Sequence, residues 1–151
     1  MKNVKRKKRA VSVLAWAAAI LALFWWTAPE QRVSRFVARY GAELAEILKD
    51  EPPGIPTDVP EKLGGVNYRY SHDWLGEHPM DEFSFLGSAF LHGRQYYGCY
   101  YSPDDAPLGF QNTAVTLTAD GADRWTWHAD GGKHGMTKKL TDNWYYYEAW
   151  L

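Results

Sequence analysis

The sequence predicts a mainly β protein: a small antiparallel sheet of about six strands, arranged as a sandwich or half-barrel, preceded by an N-terminal transmembrane helix and a short amphipathic helix. Three observations predict it. Residues 10–28 are 19 consecutive positions without a charge, AVSVLAWAAAILALFWWTA. Residues 33–48 repeat apolar side chains at helical spacings of three and four. From residue 65 onward the helical period gives way to short alternating aromatic or β-branched runs separated by Gly and Asp.

Residues 1–9 form a basic head in which Lys2, Lys5, Arg6, Lys7, Lys8 and Arg9 supply six of the 17 Lys and Arg of the chain, all before the first acid, Glu30. The remainder carries 17 − 6 = 11 bases against 18 acids, or −7. Such a body repels phosphate, which argues against a nucleic-acid partner. At 1.5 Å per residue the uncharged run 10–28 spans roughly the 30 Å of a bilayer core. A cleaved signal peptide is disfavoured because Trp26 lies two residues before Ala28 and Pro29 follows it. Six bases precede the run, whereas only Arg32, Arg35 and Arg39 follow it closely, so the N-terminus is expected in the cytoplasm. Trp25 and Trp26 are the expected membrane-interface anchors at the far end. The expected location is the inner (cell) membrane, single-pass, with the C-terminal domain periplasmic or extracellular.

Residues 29–49 read as the amphipathic juxtamembrane helix, with Thr27 as its cap, Pro29 in its first turn and Glu30 completing a capping box. Val33, Phe36, Val37, Tyr40, Leu44, Ile47 and Leu48 make its apolar stripe. That stripe needs a cover, and the folded domain, a twin helix in a homodimer through residues 33–48 and the bilayer surface all qualify. Pro52, Pro53, Pro56 and Pro60 with Gly54 mark residues 50–64 as a stiff linker.

The β-domain is expected over residues 65–151, with strands at Val66–Tyr70, Phe83–Leu91, Gln95–Tyr101, Thr113–Ala119, Arg124–Ala129 and Asn143–Trp150. His92-Gly93-Arg94 and Asp120-Gly121 sit where hairpin turns belong. This region holds 18 aromatic residues among 87, more than one sheet face hides. Alternation divides Tyr97, Cys99 and Tyr101 from Tyr96 and Tyr100, and Trp144, Tyr146 and Trp150 from Tyr145 and Tyr147. Either both faces are covered, or Tyr96, Tyr100, Trp125, Trp127, Trp144 and Tyr146 supply rings to a partner or glycan surface.

The remaining chemistry-bearing residues point to turns and core. His128, Asp130 and His134, and His72, Asp73 and His78, lack the spacing of helical or short-loop zinc pairs, so no metal or other cofactor is expected. Cys99 stands in Tyr-Gly-Cys-Tyr-Tyr without a neighbouring base, which suits a buried thiol better than a nucleophile. The acidic pairs Asp81-Glu82 and Asp104-Asp105 and the Asp120/Asp123 turn contain no calcium loop. Phosphate-binding glycine loops and a Gly-x-Ser-x-Gly elbow are missing. The leading expectation is therefore a non-enzymatic, membrane-anchored module that recognises another protein, basic in character, in an accessory, inhibitory or immunity-type role at the cell envelope. Two alternatives are a carbohydrate or cell-wall binding domain using Trp125, Trp127, Trp144 and Tyr146, and a small envelope hydrolase using His72 or His128 with a nearby Asp.

Overall fold

The structure is a computed structural model that describes residues 16, 27–49, 62–63, 66–72, 80–85 and 95–151. The transmembrane segment expected at residues 10–28 lies outside them apart from Trp16, Thr27 and Ala28. So do most of the linker, the stretch from residue 86 to Leu91 and the His92-Gly93-Arg94 turn. Among the described residues no helix is long and apolar enough to cross a membrane. The chain divides into two compact units, residues 1–32 and residues 33–151.

In the first unit Thr27 is itself helical and Ala28 is a bend. The Arg32 amide donates to the Ala28 carbonyl at 3.1 Å. Ala28 therefore occupies the cap position expected for Thr27, and Pro29, which has no N–H to leave unsatisfied, is the first residue of helix α1, Pro29–Leu48.

In the second unit the apolar stripe of α1 is covered by the folded domain. Val33, Phe36, Val37, Leu44 and Leu48 are buried in one cluster with Phe83, Cys99, Trp144 and Tyr146 of the sheet, and Tyr40 and Ile47 pack at its margin. Gly41 belongs to the same side, because a Cβ there would stand 3.1 Å from Val37 Cγ1 and 3.3 Å from Trp144 Nε1.

The described strands are β1 (Lys62–Leu63), β2 (Val66–His72), β3 (Met80–Phe85), β4 (Gln95–Tyr101), β5 (Thr118–Ala119), β6 (Arg124–His128), β7 (His134–Thr141) and β8 (Trp144–Trp150). They form one antiparallel sheet in the order β1-β2-β3-β4-β8-β7-β6-β5, in which six strands have five or more residues. Expectation and structure coincide for Gln95–Tyr101, and β8 begins one residue later than Asn143. Lys62 and Leu63, assigned to the linker, pair with Asn67 and Val66. Residues 113–117 lie outside the ladder, and only Thr118 and Ala119 of the expected Thr113–Ala119 strand pair with β6.

Strand β7 is not among the expected strands; Gly131 and Gly132 form the turn that precedes it. Its alternation is hidden because Gly135 and the Lys138-Lys139 pair interrupt the apolar positions. Gly135 is required there: a Cβ would stand 2.5 Å from both the Glu148 carbonyl oxygen and Trp127 Cζ2, since the Trp127 indole lies across its cross-strand partner.

The strand order explains how the central strands are covered on both faces without a second sheet. After β4 the chain is in the middle of the sheet, and β5 is at its far edge, so residues 102–117 must pass β8, β7 and β6. They do so on the face opposite α1, where Leu108 and Phe110 are buried with Tyr100, Trp127, Tyr145 and Tyr147, and Val115 and Leu117 pack alongside. A single layer of crossing chain thus replaces the second sheet of the expected sandwich.

Candidate functional site

The six aromatic residues expected to form one partner or glycan surface are split between the two cores. Trp144 and Tyr146 belong to the cluster under α1, whereas Tyr100 and Trp127 belong to the cluster under residues 102–117, with Tyr96 and Trp125 packed at its margin. Tyr100 is 0% exposed, Tyr146 1%, Trp144 2% and Trp127 4%. Only Tyr96 and Trp125 retain intermediate exposure. The physical reason is the crossing segment: it covers the face that alternation alone would leave open. The rings serve one another, as in the Tyr100–Tyr145 stack at 5.2 Å and the Tyr96–Phe110 pair at 5.4 Å.

Polar groups beneath this cover are satisfied by side chains on neighbouring strands. The Tyr100 hydroxyl accepts from the Leu108 amide at 2.8 Å and meets Thr137 Oγ1 at 2.8 Å, and the Thr137 hydroxyl donates to the Tyr146 carbonyl at 3.2 Å. Burial pushes the Tyr100 phenol well above its ordinary range, against the opposing effect of these hydrogen bonds. On the next strand the Tyr147 hydroxyl donates to the buried Glu82 carboxylate. Gly98 makes this reach possible, because a Cβ there would stand 2.9 Å from the Tyr147 hydroxyl oxygen and 2.2 Å from the Phe83 carbonyl oxygen. Cys99 is 0% exposed, and burial first, then the Glu82 charge, raises its thiol well above the usual value. A thiol so held stays protonated and inaccessible, which removes the ordinary conditions for nucleophilic chemistry.

One end of the sheet gathers carboxylates on its turns: Asp104 and Asp105 after β4, Asp120 and Asp123 between β5 and β6, and Asp142 between β7 and β8, all exposed. Asp105 fastens this end. Its carboxylate takes Lys139 as an ion-pair partner, the Asn143 amide at 2.8 Å and the Tyr145 hydroxyl at 3.1 Å. The Lys139 hydrogen bond is the main cause that lowers the Asp105 pKa, and Asp105 in turn raises that of Lys139. Tyr145 is raised by burial first, then by its hydrogen bond to Asp105, and further by the charges of Asp105, Asp123 and Asp142. Asn143 adopts a left-handed φ of 63°, which Asn tolerates, and its side-chain amide donates to the Ser102 and Pro103 carbonyls at 2.8 and 3.0 Å. Sequence reasoning missed this Asp105–Lys139–Asn143–Tyr145 clip. Its residues are 34 to 40 positions apart, and the only local signal was the Asp-Asn pair of a tight turn.

The opposite end carries His128 and His134, whereas His72 lies towards the carboxylate end. His128 and His134 are paired across β6 and β7 rather than placed on a turn, and both are exposed. Their ring centroids are 6.0 Å apart, and His134 stacks on Trp150 at 5.0 Å and 9°. His72 lies in β2 opposite Met80, while Asp73 and His78 fall outside the described residues. Among the described residues no group of three His, Cys, Asp or Glu side chains converges as a metal cluster would. A shallow cavity of about 290 Å³ lies between Ala38, Gly41, Ala42 and Ala45 of α1 and the β7–β8 turn. Thr141 and Asp142 are its polar lining residues. No protein-family model, curated protein or solved structure matches the chain.

Proposed function

We propose that the chain is a single-pass, N-in membrane protein whose extracytoplasmic β-domain recognises another protein and performs no catalysis of its own, in an accessory, inhibitory or immunity-type role at the cell envelope. The observation that carries this reading is the uncharged run Ala10–Ala28 with six bases before it and a body of net charge −7 after it. The interior of the sheet adds support by elimination. The middle of both faces is taken up by the protein's own core, so recognition falls to the surface left over, which includes the carboxylate-bearing turns at one end of the sheet. Asp104, Asp120 and Asp142 are exposed on three separate turns there. Such a surface attracts a basic partner and repels an acidic one.

Crosslinking in native membranes with the full-length tagged chain tests the proposal. One stoichiometric protein partner is expected, captured less efficiently as salt rises and lost in the triple variant Asp104→Lys, Asp120→Lys, Asp142→Lys. Capture of lipid and self alone would overturn it.

A further inference from the structure

We propose that His128 and His134 form a two-histidine site for a divalent transition-metal ion of the zinc class, with water filling the remaining coordination positions. The six-residue separation that argues against a ligand pair in the sequence ceases to matter once the strands pair. His128 stands directly opposite His134 in the β6–β7 register. The Ala129 amide donates to the Lys133 carbonyl at 2.8 Å, so positions 129 and 133 are a hydrogen-bonded pair and positions 128 and 134, next along, are a non-hydrogen-bonded one. In that kind of pair the Cα atoms approach to about 4.5 Å and the side chains project side by side from one face.

The ring separation is within one side-chain rotation of what a shared ion needs, although the two imidazoles are stacked and their in-plane lone pairs converge only after His128 turns. Two Zn–N bonds of about 2.0–2.1 Å, each extended by roughly 1.1 Å to the ring centre, place the centroids of two tetrahedrally arranged ligands about 5 Å apart. The observed centroids are 6.0 Å apart with planes at 20°. Rotation of the exposed His128 side chain about its own torsions supplies the difference without moving either strand.

The second ligand is already oriented. His134 Nδ1 lies 2.9 Å from the Gly132 carbonyl oxygen. A carbonyl only accepts, so Nδ1 carries the hydrogen and the neutral ring offers its Nε2 lone pair outward. Trp150 stacks on His134 at 5.0 Å and 9°, limiting the rotation of that ring. Imidazole nitrogen selects the zinc, copper and nickel group over magnesium or calcium.

The test is calorimetric titration of ZnCl2 into the full chain in detergent micelles, purified without a histidine tag. One equivalent is expected, with His128→Ala and His134→Ala each weakening it at least tenfold and Trp150→Phe weakening it less than either. Both histidines are exposed, so unchanged circular dichroism verifies that the variants remain folded. NMR ring signals of these two histidines are expected to shift together on addition of zinc. Absence of zinc binding, unchanged affinity in both alanine variants, or loss on replacing His72 or His78 instead would overturn the assignment.

Discussion

Replacing Tyr100 by Phe isolates one oxygen atom on which the cover of the sheet depends. The phenol is 0% exposed and links three elements: it accepts from the Leu108 amide in the crossing segment and meets Thr137 of β7, itself 1% exposed. One hydroxyl of the Tyr100–Thr137 pair donates to the other at 2.8 Å, and the Leu108 carbonyl at 3.4 Å from Tyr100 and the Tyr146 carbonyl at 3.2 Å from Thr137 are the alternative acceptors. The phenylalanine variant keeps the ring and its stack on Tyr145 but leaves the Leu108 amide without its acceptor. An unsatisfied buried donor costs about 1–3 kcal/mol, and the lost Tyr100–Thr137 bond adds about 0.5–1.5, so roughly 2–3 kcal/mol is expected in total. Thr137→Val removes one hydroxyl while Tyr100 keeps Leu108, for about 1 kcal/mol. The assay is urea unfolding of the full chain in detergent, followed by tryptophan fluorescence. With a slope of about 1–2 kcal/mol/M, the Tyr100→Phe midpoint falls by roughly 1–3 M and that of Thr137→Val by roughly 0.5–1 M. A Tyr100→Phe midpoint equal to that of the parent, or a larger loss for Thr137→Val, would refute the assignment of Tyr100 as the anchor of the crossing segment.

Gly98→Ala places a Cβ 2.2 Å from the Phe83 carbonyl oxygen, a clash with backbone that only separation of β3 from β4 relieves; destabilisation of about 3 kcal/mol or more, read from the same urea curves, is expected. The Asp105 carboxyl has a folded pKa below its unfolded value of about 3.9, so its stabilisation is fully present above that value and is lost as pH falls through the folded one. Asp105→Asn is therefore expected to lower the thermal midpoint at neutral pH and to flatten its decline below about pH 4, a difference that vanishes in the most acidic samples. Truncation before Trp144 removes β8, which joins β4 to β7 and carries the buried Trp144, Tyr145, Tyr146, Tyr147 and Ala149. At about 1.5–3 kcal/mol for each large buried side chain the loss rivals the whole stability of a small domain, and the truncated chain is expected to show no cooperative unfolding transition.

Much of the fold was legible because it is encoded locally. The α1 stripe follows from apolar spacing alone, and the run Gln95–Tyr101 marks β4 with the correct division of Tyr97, Cys99 and Tyr101 from Tyr96 and Tyr100. What failed to appear in the sequence depends on pairing between distant residues. Strand β7 was hidden by Gly135, whose missing side chain is explained only by the Trp127 ring lying over it, and by an irregularity in the ladder between Lys139 and Thr141. Residues 102–117 carry no regular pattern because their backbone is bent by left-handed φ values at Asp105, Gln111 and Asn112. Their role as a covering layer follows from β8 intervening between β4 and the far edge, an ordering that no local feature announces.

That ordering also explains why the expected aromatic surface and the observed exposed rings are different residues. A strand with rings on both sides has an outward face only if nothing crosses it, and the β4-to-β5 connection crosses three strands. Trp127 and Tyr100 pass into the interior under it, while Trp144 and Tyr146 are claimed by α1. At the end of the sheet where β6, β7 and β8 carry His128, His134 and Trp150, the rings lie on the α1 side but outside the buried cluster that α1 covers. The two ends of the sheet thus acquire opposite chemistry from one topology. Turn carboxylates collect where the crossing segment is fastened by Asp105 and Asn143, and a row of ring edges is left where the helix cover stops. A partner that engages the first end and an ion that binds the second would occupy separate surfaces, so the charge-reversal variants and the histidine variants are expected to act independently of each other.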